Sequence, residues 1–208
     1  MFPGESNGLW NRDKYGCTFQ QLISDWRDAW RVHTPTDPNF PFGFMQLASY
    51  SWHNPSLGFT MIRWYQTSEY GYVPNVNLQN VFMGTALDTY DKDSTIHPRN
   101  KQLPCKRLAT AGLNIAYGLK EFPTNGPFPV VADYNQVSDG IQITLTYDQK
   151  FLWNSTETEG FYICKEADPV ACNVIGGFWK KVFKISIMNQ DVKNTHSHLI
   201  HFRFLLEV

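Results

Sequence analysis

Charge is scarce in this chain and balanced where it occurs. Charged residues make up 18% of the 208 positions, 18 basic against 19 acidic, for a formal net charge of −1; globular domains average about 25%. A nucleic-acid binder that neutralises phosphates shows a basic surplus or stripe. None is present, so nucleic acid is not an expected partner. No apolar run approaches the roughly 20 residues of a membrane span, and no spanning helix is expected. The N-terminus lacks a basic segment followed by an apolar stretch, so no signal peptide is expected within these residues. Four cysteines are too few for a dense disulfide framework, and without a C-x-x-C pair they match no zinc pattern. There is no internal repeat.

Aromatic residues, by contrast, are plentiful. Seven Trp, ten Tyr and fifteen Phe make 15% of the chain, which excludes disorder for most of its length. The length fits one large domain or one and a fraction, ample for a real core. One glycosylation sequon, Asn154-Ser155-Thr156, lies in a polar stretch, and Cys164 and Cys172 sit close together in a β-like region. A sequon plus a possible Cys164–Cys172 disulfide leans towards the secretory pathway.

Residues 1–16 read as loop, rich in Gly, Asn and Asp. Thr18 followed by Gln21 forms a capping box for a helix carrying Phe19, Leu22, Ile23, Trp26 and Trp30 on one face. That face has to bury against a sheet. Phe42–Leu47 and Val81–Leu87 are short apolar runs with the character of buried strands, and Met61–Tyr72 has helical spacing between them. A second helix follows Asn100, with Leu108, Ala111 and Ile115 on one face, Pro104 near its first turn and Gly118 as its stop. Strand and helix in alternation predict an α/β fold with parallel strands. Beyond residue 121 the character changes. Pro123, Pro127 and Pro129 mark a linker. Ile141, Ile143, Leu145 and Tyr147 alternate with polar residues after Asp139-Gly140, and Phe161–Cys164 and Phe178–Met188 also read as strands.

Chemistry concentrates just past Val81–Leu87, where an acidic loop with Asp88, Asp91 and Asp93 leads to His97-Pro98. Ligands of open α/β sheets bind outside the carboxyl ends of the strands. Asp93 and His97 are spaced so that a carboxylate can orient an imidazole and leave its other nitrogen as general base. A solvated loop histidine beside a surface carboxylate would have the same spacing. Gly4-Glu5-Ser6-Asn7-Gly8 satisfies the G-x-S-x-G expression, but that elbow needs a strand before it and a helix immediately after it, so Ser6 is not expected to be a nucleophile.

Several blocks taken in order carry a more specific signal: Gly4-Glu5-Ser6-Asn7, Tyr15-Gly16-Cys17, Pro41 to Leu47, Ile62-Arg63-Trp64 with Gln66-Thr67, Tyr70 to Asn75, and Ile96-His97-Pro98-Arg99 with Lys101-Gln102. Together they make residues 3–120 resemble the sialate O-acetylesterase family of SGNH hydrolases, with a fainter likeness through Leu145 to Asp148 and the later cysteines. The resemblance implies a serine esterase on a three-layer α/β/α, flavodoxin-like sheet that removes O-acetyl groups from sialic acids, without a cofactor. It also implies a lysosomal or secreted location.

By the same resemblance His97 is the general base, and the acid comes from its loop: Asp93, with Asp91 and Asp88 as alternatives. Glu5 and Asn7 line the site, an Asn amide being a possible oxyanion donor. The family's nucleophile sits in a Gly-Gln-Ser-Asn block that these residues do not contain, and Pro3 stands where the family usually has Gln. The domain is therefore expected to be incomplete at its N-terminus. The expected layout is an esterase part over 1–121, a β-rich, partly sandwich-like region over 122–191, and an atypical tail over 192–208. Metal is not expected at the tail's His196, His198 and His201, which lack a rigid scaffold. The competing class is an inactive module presenting Trp64, Tyr65, Tyr70 and Tyr72 to carbohydrate.

Overall fold

Two parallel strands organise the first part of the molecule. The computed structural model describes residues 4–49, 58–89, 97–137, 140–149, 162–164 and 179–181. These fall into two compact units, one ending at Asn125 and one starting at Gly126.

In the first unit, β1 (Phe42–Gln46) pairs in parallel with β2 (Val81–Thr85), Phe42 opposite Val81 and Gln46 opposite Thr85. Helix α1 (Arg12–His33) packs on one face, where Phe19 meets Phe42 and Phe44 edge-on at ring separations of 6.5 and 5.1 Å. Helix α2 (Phe59–Gln66) contributes Phe59 and Ile62 to the same core, with Tyr15, Ile23, Val73 and Leu78. Helix α3 (Gln102–Ile115) lies on the opposite face, where Leu108 packs against Met45, Ala48 and Ala86. The alternation of side chains along each strand produces this division: Phe42 and Phe44 point one way and Met45 the other. The result is a mixed helix–strand unit with a small parallel sheet and helices on both faces, as strand–helix alternation predicted.

Two local expectations are corrected. Helix α1 starts at Arg12, so residues 12–16 are helical and Thr18 is an interior residue. Its hydroxyl donates to the Tyr15 carbonyl at 3.3 Å, while the Gln21 amide donates to Asp25 at 2.7 Å. The start is set by Asn11, whose left-handed backbone (φ 53°) turns the chain into the helix. Helix α2 ends at Gln66, short of Tyr72. Thr67 takes over there: its hydroxyl donates to the Trp64 carbonyl at 2.8 Å and accepts from the Gly71 amide at 2.9 Å. The Asn75 amide then donates to the Thr67 and Tyr72 carbonyls at 2.8 Å each. Polar side chains substitute for helical bonds and fold residues 67–78 into a knot of turns.

The expected burial of α1's aromatic face is only partly realised. Phe19 is buried, but Trp26 and Trp30 remain 51% and 54% exposed, Trp30 stacked on Phe40 and Trp26 edge-on to Phe42.

The second unit contains an antiparallel hairpin, β3 (Pro129–Val137) with β4 (Gly140–Tyr147), and a short antiparallel pair, β5 (Tyr162–Cys164) with β6 (Trp179–Lys181). Strand β4 matches the alternation read from the sequence. Strand β3 was not anticipated: it opens on Pro129, which the sequence reading assigned to a linker, and the first position of a strand is one of the few that tolerate Pro. Among the described residues no helix is long and apolar enough to cross a membrane.

Candidate active site

The loops that leave β1 and β2 are bound to each other. The Thr85 hydroxyl donates to the Gln46 side chain at 2.9 Å, and the Ser49 hydroxyl to the Leu87 carbonyl at 3.3 Å. Past β2 the chain makes a short 3-10 turn, Leu87–Thr89, closed by the Thr89 amide and hydroxyl on the Ala86 carbonyl at 3.1 and 2.7 Å. His97 follows beyond the end of this turn, on the carboxyl side of β2.

The Gly4-Glu5-Ser6-Asn7 block meets His97. It forms a tight turn, with a 3-10 segment at Ser6–Gly8, in which the Gly8 amide donates to the Gly4 and Glu5 carbonyls at 3.1 Å each. Gly4 has to be glycine. Its φ is +111°, and a Cβ there would stand 2.7 Å from Ile62 Cγ2 and 2.9 Å from the Tyr15 ring. This contact seats the turn on α1 and α2 and leaves Glu5 facing the imidazole: Glu5 Oε2 lies 4.0 Å from His97 Nε2. The Glu5 side chain is 22% exposed and that of His97 70% exposed. A shielded carboxylate therefore faces an accessible imidazole, an arrangement suited to a base that must accept a proton from an incoming group. Asn7 is in the same turn and partly buried. Ser6 is exposed and its carbonyl accepts from the Leu9 and Trp10 amides, so it sits in a turn that runs on to α1 at Arg12, without the strand-to-helix geometry of an elbow.

Asp88 has a different occupation. Both of its oxygens accept hydrogen bonds from Arg107 of α3, at 2.5 and 2.7 Å. Those bonds hold the Asp88 carboxyl below its usual range, against burial, which pushes it up; the Arg107 guanidinium is raised in turn. Because the folded value is the lower one, this contribution is complete above the ordinary carboxylate pKa of ~4 and is lost as pH falls through the depressed value. The pair is partly exposed, so its size is at most about 1 kcal/mol. The melting-temperature difference between the native chain and Asp88→Asn should hold steady from neutral pH to about pH 5 and close at lower pH. A difference that persists in strong acid would contradict this sign.

Asp91, Asp93, Asn154 and Cys172 lie outside the described residues, and Cys164 is described only as part of β5. Cys17 and Cys105 are free thiols, both exposed. Among the described residues no group of three or more His, Cys, Asp or Glu is placed to hold a metal. Of the aromatics considered for sugar stacking, Tyr70 is 38% exposed and packs edge-on against Tyr72, while Trp64, Tyr65 and Tyr72 are more enclosed. The sequence reading gave no role to Gln66, although it lies within one of the quoted blocks. It is fully buried, and its amide accepts from the Leu47 amide at 3.1 Å and donates to the Met45 carbonyl at 3.3 Å.

No protein-family model matches the chain. Comparison with curated proteins is decisive: over 168 residues the chain is 42% identical to sialate O-acetylesterase of Mus musculus, and over 134 residues it is 44% identical to sialate O-acetylesterase of Homo sapiens. It is similar to part of the sialate O-acetylesterases. The alignments cover 78% and 62% of this chain, and 31% and 26% of the mouse and human proteins respectively. The chain thus spans about a third of the length of these sialate O-acetylesterases. A Rattus norvegicus sialate O-acetylesterase matches at 39% over the same extent as the mouse protein.

Proposed function

We propose that this chain is part of a carboxylic ester hydrolase that removes O-acetyl groups from sialic acids, with His97 as its general base. The observation that carries the reading is the meeting of Glu5 and His97, from two blocks far apart in sequence, at 4.0 Å on the carboxyl side of a parallel strand. Similarity to proteins named sialate O-acetylesterase supplies the substrate class. The layering proposed for the whole domain is the three-layer SGNH arrangement, which helices on both faces of the β1–β2 pair support. The region after residue 122 is proposed as a β-rich accessory part, in keeping with the β3–β4 hairpin. A lysosomal or secreted location, a glycan on Asn154 and a Cys164–Cys172 bridge belong to the same proposal.

In the proposed reaction a serine attacks the acetyl carbonyl while His97 takes its proton. The acyl-enzyme and the alcohol of the sialic acid result, and water then releases acetate by the reverse proton transfer. The serine is proposed to come from a Gly-Gln-Ser-Asn block outside these 208 residues. Asp93 is proposed to orient the imidazole from one nitrogen. Glu5, which faces Nε2, would then stand on the side where serine and substrate meet, and Asn7 of the same turn is proposed as an oxyanion donor. With Asp88 engaged by Arg107, the choice of acid narrows to Asp93 and Asp91, and to Glu5 if its facing nitrogen is the one it orients. Acetate release from an O-acetylated sialic acid by a longer polypeptide that contains this chain tests the reading. Release that is indifferent to His97 would overturn it.

A further inference from the structure

We infer that Arg107 is a positioning residue for His97, acting by locking the axial register of α3 against β2. His97 is joined to α3 by a short, stiff link: Pro98 restricts the backbone, the Asn100 side chain accepts from the Leu103 amide at 3.4 Å, and the Lys101 carbonyl accepts from the Cys105 amide at 3.1 Å. Where α3 sits therefore decides where His97 sits.

Two kinds of contact place α3. Close backbone approach sets its distance from β2, since a Cβ at Gly84 would stand 2.6 Å from the Pro104 carbonyl oxygen and 2.8 Å from the Leu108 nitrogen. That approach and the packing of Leu108 on Met45, Ala48 and Ala86 resist separation more than sliding. Register needs directional bonds, and Arg107 supplies three: two to the Asp88 carboxylate and one to the Thr85 carbonyl at 3.0 Å. Thr85 ends β2 and Asp88 belongs to the turn that follows it, so one guanidinium ties the departure of the His97-bearing loop to the helix on which that loop lands. A slide of α3 by one residue is a shift of about 1.5 Å. A misplacement of about 1 Å in a reacting group is enough to cost about 10²-fold in rate.

Arg107→Met keeps most of the aliphatic stem and removes all three bonds. In the folded 208-residue chain, the magnetisation transfer between the His97 imidazole and the Glu5 side chain should disappear in this variant. Amide exchange at Leu103 and Cys105, which bond to Asn100 and to the Lys101 carbonyl, should speed up about tenfold while the amides of Val81–Thr85 keep their protection. Arg107→Lys, with one charged head in place of a fork, should not restore the His97–Glu5 signal. Asp88→Asn, which leaves the Thr85 bond in place, should show the same pattern at smaller size and serves if Arg107→Met does not fold. A preserved His97–Glu5 signal in Arg107→Met would overturn the inference, as would its loss only together with the β1–β2 protection. The catalytic consequence rests on the esterase reading: in an active polypeptide containing this chain, kcat should fall about 10–10²-fold with KM nearly unchanged. A raised KM at constant kcat would also overturn it. An inactive native polypeptide would count against the esterase reading alone, because the two measurements on the 208-residue chain do not depend on turnover.

Discussion

His97→Ala, made in a polypeptide that contains this chain and hydrolyses O-acetylated sialic acid, should lower acetate release by about 10⁶-fold, the size expected when the base of a serine–histidine pair is deleted. Glu5, 4.0 Å from the imidazole, is proposed to act through it and not as a base in its place. Asp93→Asn should cost about 10⁴-fold, because an orienting carboxylate sets the tautomer without accepting the reacting proton. Glu5→Gln should cost less, about 10–10²-fold, since Glu5 faces Nε2, which the role proposed for Asp93 would leave for the serine. If Glu5→Gln proves the more damaging of the two, Glu5 is the orienting carboxylate and the proposed role of Asp93 falls. Steady-state kinetics with each variant checked for folding separates these outcomes.

Gln66→Met should largely unfold the first unit. Gln66 is fully buried, and its amide group bonds to the edge of β1 that faces away from β2. The Phe42 amide bonds to Asn80 beside β2, so the peptide groups of Met45 and Leu47 point away from β2, and it is these that Gln66 satisfies. The buried Tyr15 phenol is hydrogen-bonded to the same side chain, and burial drives its ionisation far above the usual range. Methionine fits the volume but leaves three buried polar groups without that partner. At roughly 1–3 kcal/mol for each group, the loss is comparable with the whole 5–15 kcal/mol of a domain. Urea unfolding followed by tryptophan fluorescence measures it. A change below about 1 kcal/mol would mean that Gln66 is not the group satisfying this edge.

The parallel strands and α3 were legible in the sequence because the pattern that reveals them is the one that folds them. Phe42 to Leu47 and Val81 to Leu87 are apolar at every position a doubly covered strand buries, and Ala111 and Leu108 mark the face that α3 turns to the sheet. The start of α1 was not legible, because polar residues at 12–14 and Gly16 have the composition of a loop. Burial overrides that composition: Tyr15, stacked on Phe19 one turn further along the same helix, enters the core with Phe44, Phe59 and Ile62. The end of α2 was misread for a related reason, since Glu69 and Tyr72 continue the helical spacing of Ile62 and Tyr65 while Thr67 and Asn75 divert the backbone through side-chain bonds that no periodicity records.

In the site, His97 and Glu5 were each named from the sequence, but their meeting was not, because nothing in local spacing relates residue 5 to residue 97. Asp88 lay within the acidic loop that the sequence singled out. Its partner Arg107 sits a turn into α3, where a basic residue on a helix gives no sign of reaching back to the strand end.

The most direct measurement is acetate release from an O-acetylated sialic acid by two purified proteins side by side: the 208-residue chain alone, and a longer polypeptide in which it is joined to a Gly-Gln-Ser-Asn block. The longer polypeptide should release acetate in a His97-dependent manner, and the chain alone should release none above its own His97→Ala form. Turnover by the chain alone that vanishes in Ser6→Ala would contradict this, and would make the exposed serine of the Gly4–Gly8 turn the nucleophile after all.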